Sequence, residues 1–235
     1  MTTQHRTRLD ILPATPLPGI SHTRWIRGRL QSWWVEHARD FAWRHTRDEY
    51  RVAIAEVLLQ QTTATAAATL YLTFLKRFPS WQILAAATSD DVQELVTPLG
   101  LGARRAARLH HLARWVTTHG HELPVKREDL EGVPGIGPYV ASAILATRGE
   151  PEPLLDVNMV RVIERLFGVR ERADLRADPW LQHVSRRLFP GLEMGWTVLD
   201  FASAICRARA PRCNACPLAS RCMYASSALE EARRT

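Results

Sequence analysis

The chain has 235 residues, of which 46% are hydrophobic and 23% charged, so it can bury a core and is not globally disordered. Its net charge is +7 with a pI of about 9.8, and only two of its 31 basic residues, Lys76 and Lys126, are lysines. This excess of arginine favours phosphate contact, because the guanidinium fork binds oxyanions in pairs, although a solvated basic surface would have the same composition.

The first segment, MTTQHRTRLD, lacks the apolar run of a signal peptide, and no stretch approaches the roughly 18 apolar residues of a membrane span. We therefore expect a cytoplasmic protein with no membrane partner. Residues 1–22 contain three prolines and no helical periodicity before the first apolar helix pattern, which predicts a flexible N-terminal tail.

Helical periodicity then predicts most of the chain. In the first half, the predicted helices are separated by short polar, proline or glycine segments, and Phe41–Arg44 is predicted as a loop. Past residue 130 the pattern remains helical, and no sustained period-two alternation indicates a strand. The sequence therefore predicts an all-α protein with about ten helices, which include Thr23–His37, Asp48–Gln61, Thr65–Phe78, Thr88–Val96, Arg104–His119, Tyr139–Thr147, Asp156–Phe167, Pro179–Leu188 and Trp196–Cys206.

Two groups of charged residues stand out in the first half. Glu56 lies inside an apolar helical run, where a carboxylate is costly unless it is paired, exposed or functional. A surface position and a catalytic one are both compatible with the sequence. A positive patch at the start of a helix is formed by Arg104, Arg105 and Arg108. The sequence is equally compatible with a phosphate-binding site and with a solvated surface there.

The segment Val133-Pro-Gly-Ile-Gly-Pro-Tyr139 predicts a glycine hairpin that opens a helix. Gly135 and Gly137 lack a Cβ, so another backbone can approach closely, and Pro138 suits the first helical turn. The free N–H groups of that turn can hold a phosphate oxygen. Further along, Asp156 precedes another helix, as a simple N-cap or as a functional carboxylate.

The C-terminal part of the sequence contains four cysteines in a C-x6-C-x2-C-x5-C spacing: Cys206, Cys213, Cys216 and Cys222. In a reducing compartment such a cluster favours a metal over disulfides, and four thiolates suit zinc or an iron–sulfur cluster. Zinc ribbons usually use two close pairs, whereas only Cys213 and Cys216 are close here. The wider gaps favour a larger inorganic core.

The hairpin, Asp156 and the cysteine spacing, in that order, resemble the helix-hairpin-helix DNA glycosylases of the endonuclease III and MutY superfamily over about residues 24–224. The resemblance implies two all-α lobes: a helical barrel at 43–152 with the helix-hairpin-helix, and an iron–sulfur lobe formed by 23–42 plus 153–224. Residues 225–235 would be a C-terminal tail. It also implies a [4Fe-4S] cluster on the four cysteines, and a monomer that binds double-stranded DNA containing a mismatched or damaged base.

Within this family, a lysine at the position of Tyr139 attacks the sugar and cleaves the strand. Tyr139 therefore implies a monofunctional glycosylase of base excision repair, without efficient lyase activity. The resemblance also assigns roles: Asp156 would stabilise the sugar cation, Glu56 would assist base departure or activate water, and Tyr139 would border the base. Gln61 and Leu101 would fill the space that the flipped base vacates, although helix-end and turn packing explain them equally well.

Two branches of this family remove a base without cleaving the strand. Thr62-Thr63-Ala64 and Asp200-Phe201-Ala202 resemble the mismatch thymine/uracil glycosylases, which act on T or U opposite G, whereas Gln60-Gln61-Thr62 resembles the MutY-type adenine glycosylases. Ala103 replaces the usual MutY aromatic, and the short segment after the cysteines leaves no room for that branch's recognition domain. We favour thymine or uracil. A non-catalytic DNA-binding module and a zinc-binding interaction protein are further alternatives.

Overall fold

The computed structural model describes residues 17–168 and 178–226, and these residues contain α-helices and no β-strand, as the sequence predicts. Most of both predicted tails lies outside the described residues. Residues 20–22 belong to the first helix rather than to a tail. The helices are α1 Ile20–His37, α2 Glu49–Leu59, α3 Ala64–Arg77, α4 Trp81–Ala86, α5 Ser89–Val96, α6 Gly102–Thr118, α7 Arg127–Glu131, α8 Pro138–Thr147, α9 Val157–Phe167, α10 Pro179–Leu188 and α11 Gly191–Ala204.

Side-chain caps fix several of the helix starts that the sequence predicts. Asp48 accepts a hydrogen bond from the backbone N–H of Arg51 at 2.9 Å, and Thr88 accepts one from that of Asp91 at 3.1 Å. Each cap satisfies an N–H group that has no partner within its helix. Asp48 and Thr88 are thus N-caps that precede their helices, which shifts the predicted starts by one residue.

Several short elements were not predicted, among them one 3₁₀ helix and two short α-helices. Residues 42–45 form a 3₁₀ helix rather than the predicted loop, and it buries Trp43 edge-on against Tyr71 with ring centroids 5.4 Å apart. Helices α4 and α7 have only six and five residues. Elements this short offer less than two turns of periodicity, so their packing rather than their pattern stabilises them.

The chain divides into two compact units, and residues Asp40–Glu150 form one of them. One cluster of buried apolar residues between Trp43 and Leu145 forms its hydrophobic core, and it includes Ile54, Phe74, Leu109 and Ile144, each fully buried. Helix α6 packs against α4 and α5, and α2 packs against α8 and α3.

The second unit comprises the described residues up to Arg39 and those from Pro151 onward. Here α1 packs against α11, and α9 packs against α10 and α11. Asp200 of α11 is 1% exposed and accepts hydrogen bonds from Trp34 Nε1 at 3.0 Å and from Arg39 Nε at 2.6 Å. This buried carboxylate therefore fastens the end of α1, and its bond to the ring N–H satisfies the polar group of the partly buried Trp34.

None of the helices in the described parts of the chain is both long and apolar enough to cross a membrane.

Candidate active site and DNA-binding surface

The predicted hairpin connects α7 to α8 and is anchored by two apolar side chains, since Val133 and Ile136 are 2% and 3% exposed. Gly135 has a φ of +94°, and a Cβ there would lie 2.9 Å from Cγ of Arg108. Gly135 is therefore needed for close packing on α6. Gly137 differs, because it has an ordinary φ of −92°, and a Cβ added there would have no atom within 4 Å.

Gly137 is the N-cap of α8, and Pro138 is its first residue. The first-turn N–H groups of a helix have no partner within the helix, and the positive end of the helix dipole lies there. Gly137 itself is exposed at this end of α8. The hairpin thus has the local geometry to bind an anion such as a DNA phosphate.

Gln61 and Leu101 border one small cavity of about 70 Å³, together with Gln60 and three arginines, Arg104, Arg105 and Arg108. Gln61 was predicted to end its helix, but α2 ends at Leu59 and Gln61 follows in a left-handed turn with a φ of 53°. Leu101 has the same φ of 53° and is 46% exposed. Two residues distant in sequence are thereby brought to one place on the surface.

The arginines at this cavity are not one solvated patch. Arg104 is exposed, whereas Arg105 is only 4% exposed, so Arg105 does not belong to an exposed positive surface. Arg108 donates a hydrogen bond to the side-chain oxygen of Gln60 and packs beside Gly135. The cavity and the hairpin are therefore adjacent through Arg108.

Glu56 and Tyr139 lie on two helices that run antiparallel. Glu49 at the start of α2 pairs with Arg148 just beyond the end of α8, with N–O distances of 2.6 and 2.8 Å. The last turn of α2 and the first turn of α8 consequently lie at the same end of the unit. Glu56, 7% exposed, is in the former, and the partly buried Tyr139 is in the latter.

A larger cavity of about 520 Å³ opens at the opposite end of these helices, where Asp48, Tyr50, Trp81 and Arg148 are among the lining residues. None of the site residues predicted from the sequence borders it. Carboxylates on its rim make it a poor place for DNA phosphates.

Asp156, in the other unit, is the N-cap of α9. One carboxylate oxygen accepts from the backbone N–H of Asn158 at 2.9 Å and of Met159 at 2.8 Å, and the other accepts from the Asn158 amide. Burial raises the pKa of Asp156 above its usual value, and these hydrogen bonds together with the charge of Arg161 partly offset the rise. The N-cap role is real, and it also fixes the carboxylate in one orientation.

Arg161, one turn along α9, connects Asp156 to the cysteine segment. Its guanidinium donates to the side-chain oxygen of Asn158 at 3.0 Å, to the backbone oxygen of Cys206 at 2.9 Å and to that of Ala202 at 3.2 Å. Asn158 in turn holds Asp156. The position of the carboxylate is thus tied to the backbone at the first cysteine.

The four cysteines lie within electrostatic range of one another. Burial first, and then the charges of the other three thiolates, raise the pKa of Cys216 to about 11. Arg165 of α9 lies beside them, with Nη1 3.4 Å from Sγ of Cys206. Within the described residues, no group of three or more His, Cys, Asp or Glu side chains has the arrangement of a formed metal site. The donor set is nevertheless purely thiol, and four thiols are the ligand chemistry that an iron–sulfur cluster requires.

Comparison with known proteins decides the family. Residues 54–180 match the model of the HhH-GPD superfamily of base excision DNA repair proteins. A thymine-DNA glycosylase of Aeropyrum pernix is 39% identical over 85% of this chain and 93% of its own. The chain belongs to the HhH-GPD superfamily.

Other DNA glycosylases and solved structures are also similar to this chain. A thymine/uracil-DNA glycosylase of Pyrobaculum aerophilum is 36% identical over 90% of this chain and 94% of its own, and the human adenine DNA glycosylase is 30% identical over 84% of this chain and 39% of its own. A solved thermostable thymine-DNA glycosylase matches with a TM-score of 0.81 at 29% identity and covers 87% of this chain and 97% of that one. An endonuclease III–DNA complex shares the fold, with a TM-score of 0.77 at 19% identity over 91% of this chain and 100% of that one.

Two arginines of this HhH-GPD chain, Arg105 and Arg161, were not predicted to hold site residues in place. Both donate mainly to backbone oxygens, and several of these lie more than 40 residues away in sequence. Every residue carries such an oxygen, so the sequence gives no sign of the pairing. The excess of arginine was interpreted as a sign of phosphate binding, but it was also the one feature of the sequence that pointed to arginines with a structural role.

Proposed function

We propose that this base excision repair protein is a monofunctional DNA glycosylase that removes thymine or uracil opposite guanine. The proposal rests chiefly on two relatives: the thymine-DNA glycosylase is 39% identical over 93% of its own length, and the thymine/uracil-DNA glycosylase is 36% identical over 94% of its own. Adenine glycosylases are the second candidate, supported by the 30% identity of the human protein and by Gln60-Gln61-Thr62.

DNA binding would use the hairpin end of residues 40–150. The open N–H groups beside Gly137 hold a phosphate, while Gly135 keeps the hairpin on α6. A base inside a duplex cannot be attacked, so the nucleotide must first leave the stack. Gln61 and Leu101, both exposed at this same end, fill the vacated space.

Base release breaks the bond between C1′ of the sugar and N1 of the pyrimidine. The bonding electron pair leaves with the base, and positive charge builds on the sugar. The ionised carboxylate of Asp156, held by three donors, stabilises that charge. A water oxygen then bonds to C1′ and loses a proton, and the departing base anion gains one.

Two side chains are assigned to the base and the water. Glu56 orients or deprotonates the water, and its burial limits competition from bulk solvent. Tyr139 borders the base and supplies no amine, so no imine with the sugar forms at this position and the strand stays intact. Neither Lys76 nor Lys126 lies in the hairpin motif.

Cys206, Cys213, Cys216 and Cys222 would hold a [4Fe-4S] cluster. When bound, such a cluster supplies a rigid cross-link for the surrounding segment and a fixed position for its arginines against DNA. The thiols must lose their protons to become ligands. Iron and sulfide analysis of the purified protein, with its visible absorption, tests this assignment, and stoichiometric zinc without iron would contradict it.

A duplex panel tests the activity: T:G, U:G, A:G and A opposite oxidised guanine, each assayed with and without alkali. We expect strand breaks from T:G and U:G only after alkali treatment, because base loss leaves an intact abasic strand. Preferential reaction of either adenine duplex would establish the second candidate instead. Breaks without alkali would contradict the role of Tyr139, and binding without any base loss would identify a non-catalytic module.

A further inference from the structure

Arg105 joins two turns that are separate in sequence. Its guanidinium donates to the backbone oxygen of Gln60 at 2.5 Å, to that of Val57 at 3.4 Å and to that of Gly100. The first two oxygens belong to the end of α2, just before Gln61. The third immediately precedes Leu101. One buried side chain therefore holds the backbone on which both surface residues stand.

Both turns need such support. Gln61 and Leu101 each have a φ of 53°, a left-handed conformation that is strained for a residue other than glycine. Strain of this kind persists only where surrounding contacts fix the backbone, and it is concentrated at functional sites. The next residue, Gly102, is equally constrained, because a Cβ there would lie 2.6 Å from Oγ1 of Thr97.

An arginine suits this position for electrostatic reasons. The last carbonyl groups of a helix have no partner within it and carry the negative end of the helix dipole. At the end of α2 these carbonyls receive the Arg105 charge, which offsets part of the cost of burying it. The planar fork reaches several oxygens at once, which an ammonium group on a flexible stem does not reproduce.

We propose that Arg105 is a positioning residue for base extrusion: it fixes the Gln60-Gln61 turn and the Gly100-Leu101 turn relative to each other, so that both side chains enter the duplex together. The inference rests on the proposed glycosylase function. It also separates Arg105 from the exposed Arg104, because Arg105 acts on the protein backbone rather than on a DNA phosphate.

The test uses Arg105→Lys and Arg105→Met, with Arg114→Met as the matched control. Arg114 is exposed on the same helix, nine residues further along, so its replacement removes an equal charge without touching either turn. Single-turnover base release at saturating enzyme is measured beside affinity for an undamaged duplex. Fluorescence of 2-aminopurine placed next to the mismatch reports opening of the stack.

We expect the Arg105 variants to release base about 10- to 100-fold more slowly and to give a weaker fluorescence rise, because misplaced groups lose preorganisation. Their affinity for undamaged DNA should equal that of Arg114→Met. A release rate equal to that of the control would overturn the proposal. So would a loss of affinity that accounts for the whole defect, since that outcome identifies a phosphate contact.

A double-variant cycle examines the route of the effect. Losses in Arg105→Lys and in the pair Gln61→Ala with Leu101→Ala should combine to less than their product, because both remove the same step. Fully multiplicative losses would contradict the shared role.

If Arg105→Met does not fold, Arg105→Lys carries the test, and its circular dichroism and melting temperature establish that the assayed enzyme is folded. A wild-type protein that releases no base from any duplex refutes the glycosylase itself, while the fluorescence comparison still tests Arg105.

Discussion

Asp156 caps α9, and in the proposed mechanism it also stabilises the sugar cation; Asp156→Asn separates these two roles. The amide can still cap α9 but carries no charge. We expect base release to fall by about 10³-fold or more, because the sugar cation loses its counter-charge, while the affinity for a mismatched duplex stays close to that of wild type. Single-turnover kinetics and fluorescence anisotropy measure the two quantities. A variant that still turns over would remove Asp156 from the mechanism.

The same substitution reveals the buried charge through pH. The folded-state pKa of Asp156 is raised above the unfolded value of about 3.9, so its contribution to stability is greatest at low pH and is lost as pH rises through the folded pKa. The free energy of unfolding of wild type minus that of Asp156→Asn should therefore fall from about pH 4 upward and then level off. Urea unfolding at several pH values measures it, and a difference that grows with pH would show a lowered pKa instead.

Tyr139 carries the prediction about strand cleavage. Tyr139→Lys would place a primary amine in the first turn of α8, where attack on C1′ would form an imine that borohydride reduces to a stable cross-link. We expect a trapped protein–DNA complex for Tyr139→Lys and none for wild type or Tyr139→Phe. The background should be low, because the chain has only two other lysines, Lys76 and Lys126. Failure to trap any complex would place Tyr139 away from the sugar.

At the scale of the element, the hairpin offers two glycines with different tasks. Gly135→Ala should lower the free energy of unfolding by about 1–2 kcal/mol, because its φ is +94° and its Cβ would meet Arg108 at 2.9 Å. Gly137→Ala should leave stability nearly unchanged but weaken binding to any duplex, because the added methyl faces the open side of the hairpin. Urea unfolding and anisotropy measure both effects, and equal destabilisation by the two variants would contradict this division.

Helices formed by local interactions were predicted from the sequence, whereas helices that depend on tertiary packing were not. Long amphipathic helices such as α3 and α6 were predicted to within two residues at each end, since their periodicity and capping residues are local. The short α4 and α7 were missed because their neighbours stabilise them. The same holds within the candidate site. The N-cap at Asp156 follows from local sequence, whereas the backbone at Gln61 and Leu101 is held by Arg105, whose carbonyl partners cannot be identified from the sequence.

At the scale of the whole molecule, the cysteine segment and the hairpin belong to different units, and each unit has its own packed helices. The core cluster that the structure describes in residues 40–150 is built from residues between Trp43 and Leu145. Stability is not uniform across such a chain, and each cooperative part opens with its own free energy. A substitution in the cysteine segment should therefore disturb first the packing of α9 and α11. Arg161 and Arg165 of α9 donate hydrogen bonds to backbone oxygens of the cysteine segment and of α11.

Cys216→Ser tests whether the cysteine segment stabilises only its own unit. Loss of one proposed cluster ligand removes a cross-link from the segment, and we expect faster amide hydrogen exchange in α9, α11 and residues 205–226. Exchange in α2, α6 and α8 should stay near the wild-type rate, because among the described residues the core cluster to which they contribute is built from residues between Trp43 and Leu145. The control is Met223→Ala, since Met223 is exposed and follows Cys222 directly but lies outside the ligand set. An equal rise in exchange across both units would show that they unfold as one, and the cysteines would then support the entire fold rather than one part of it.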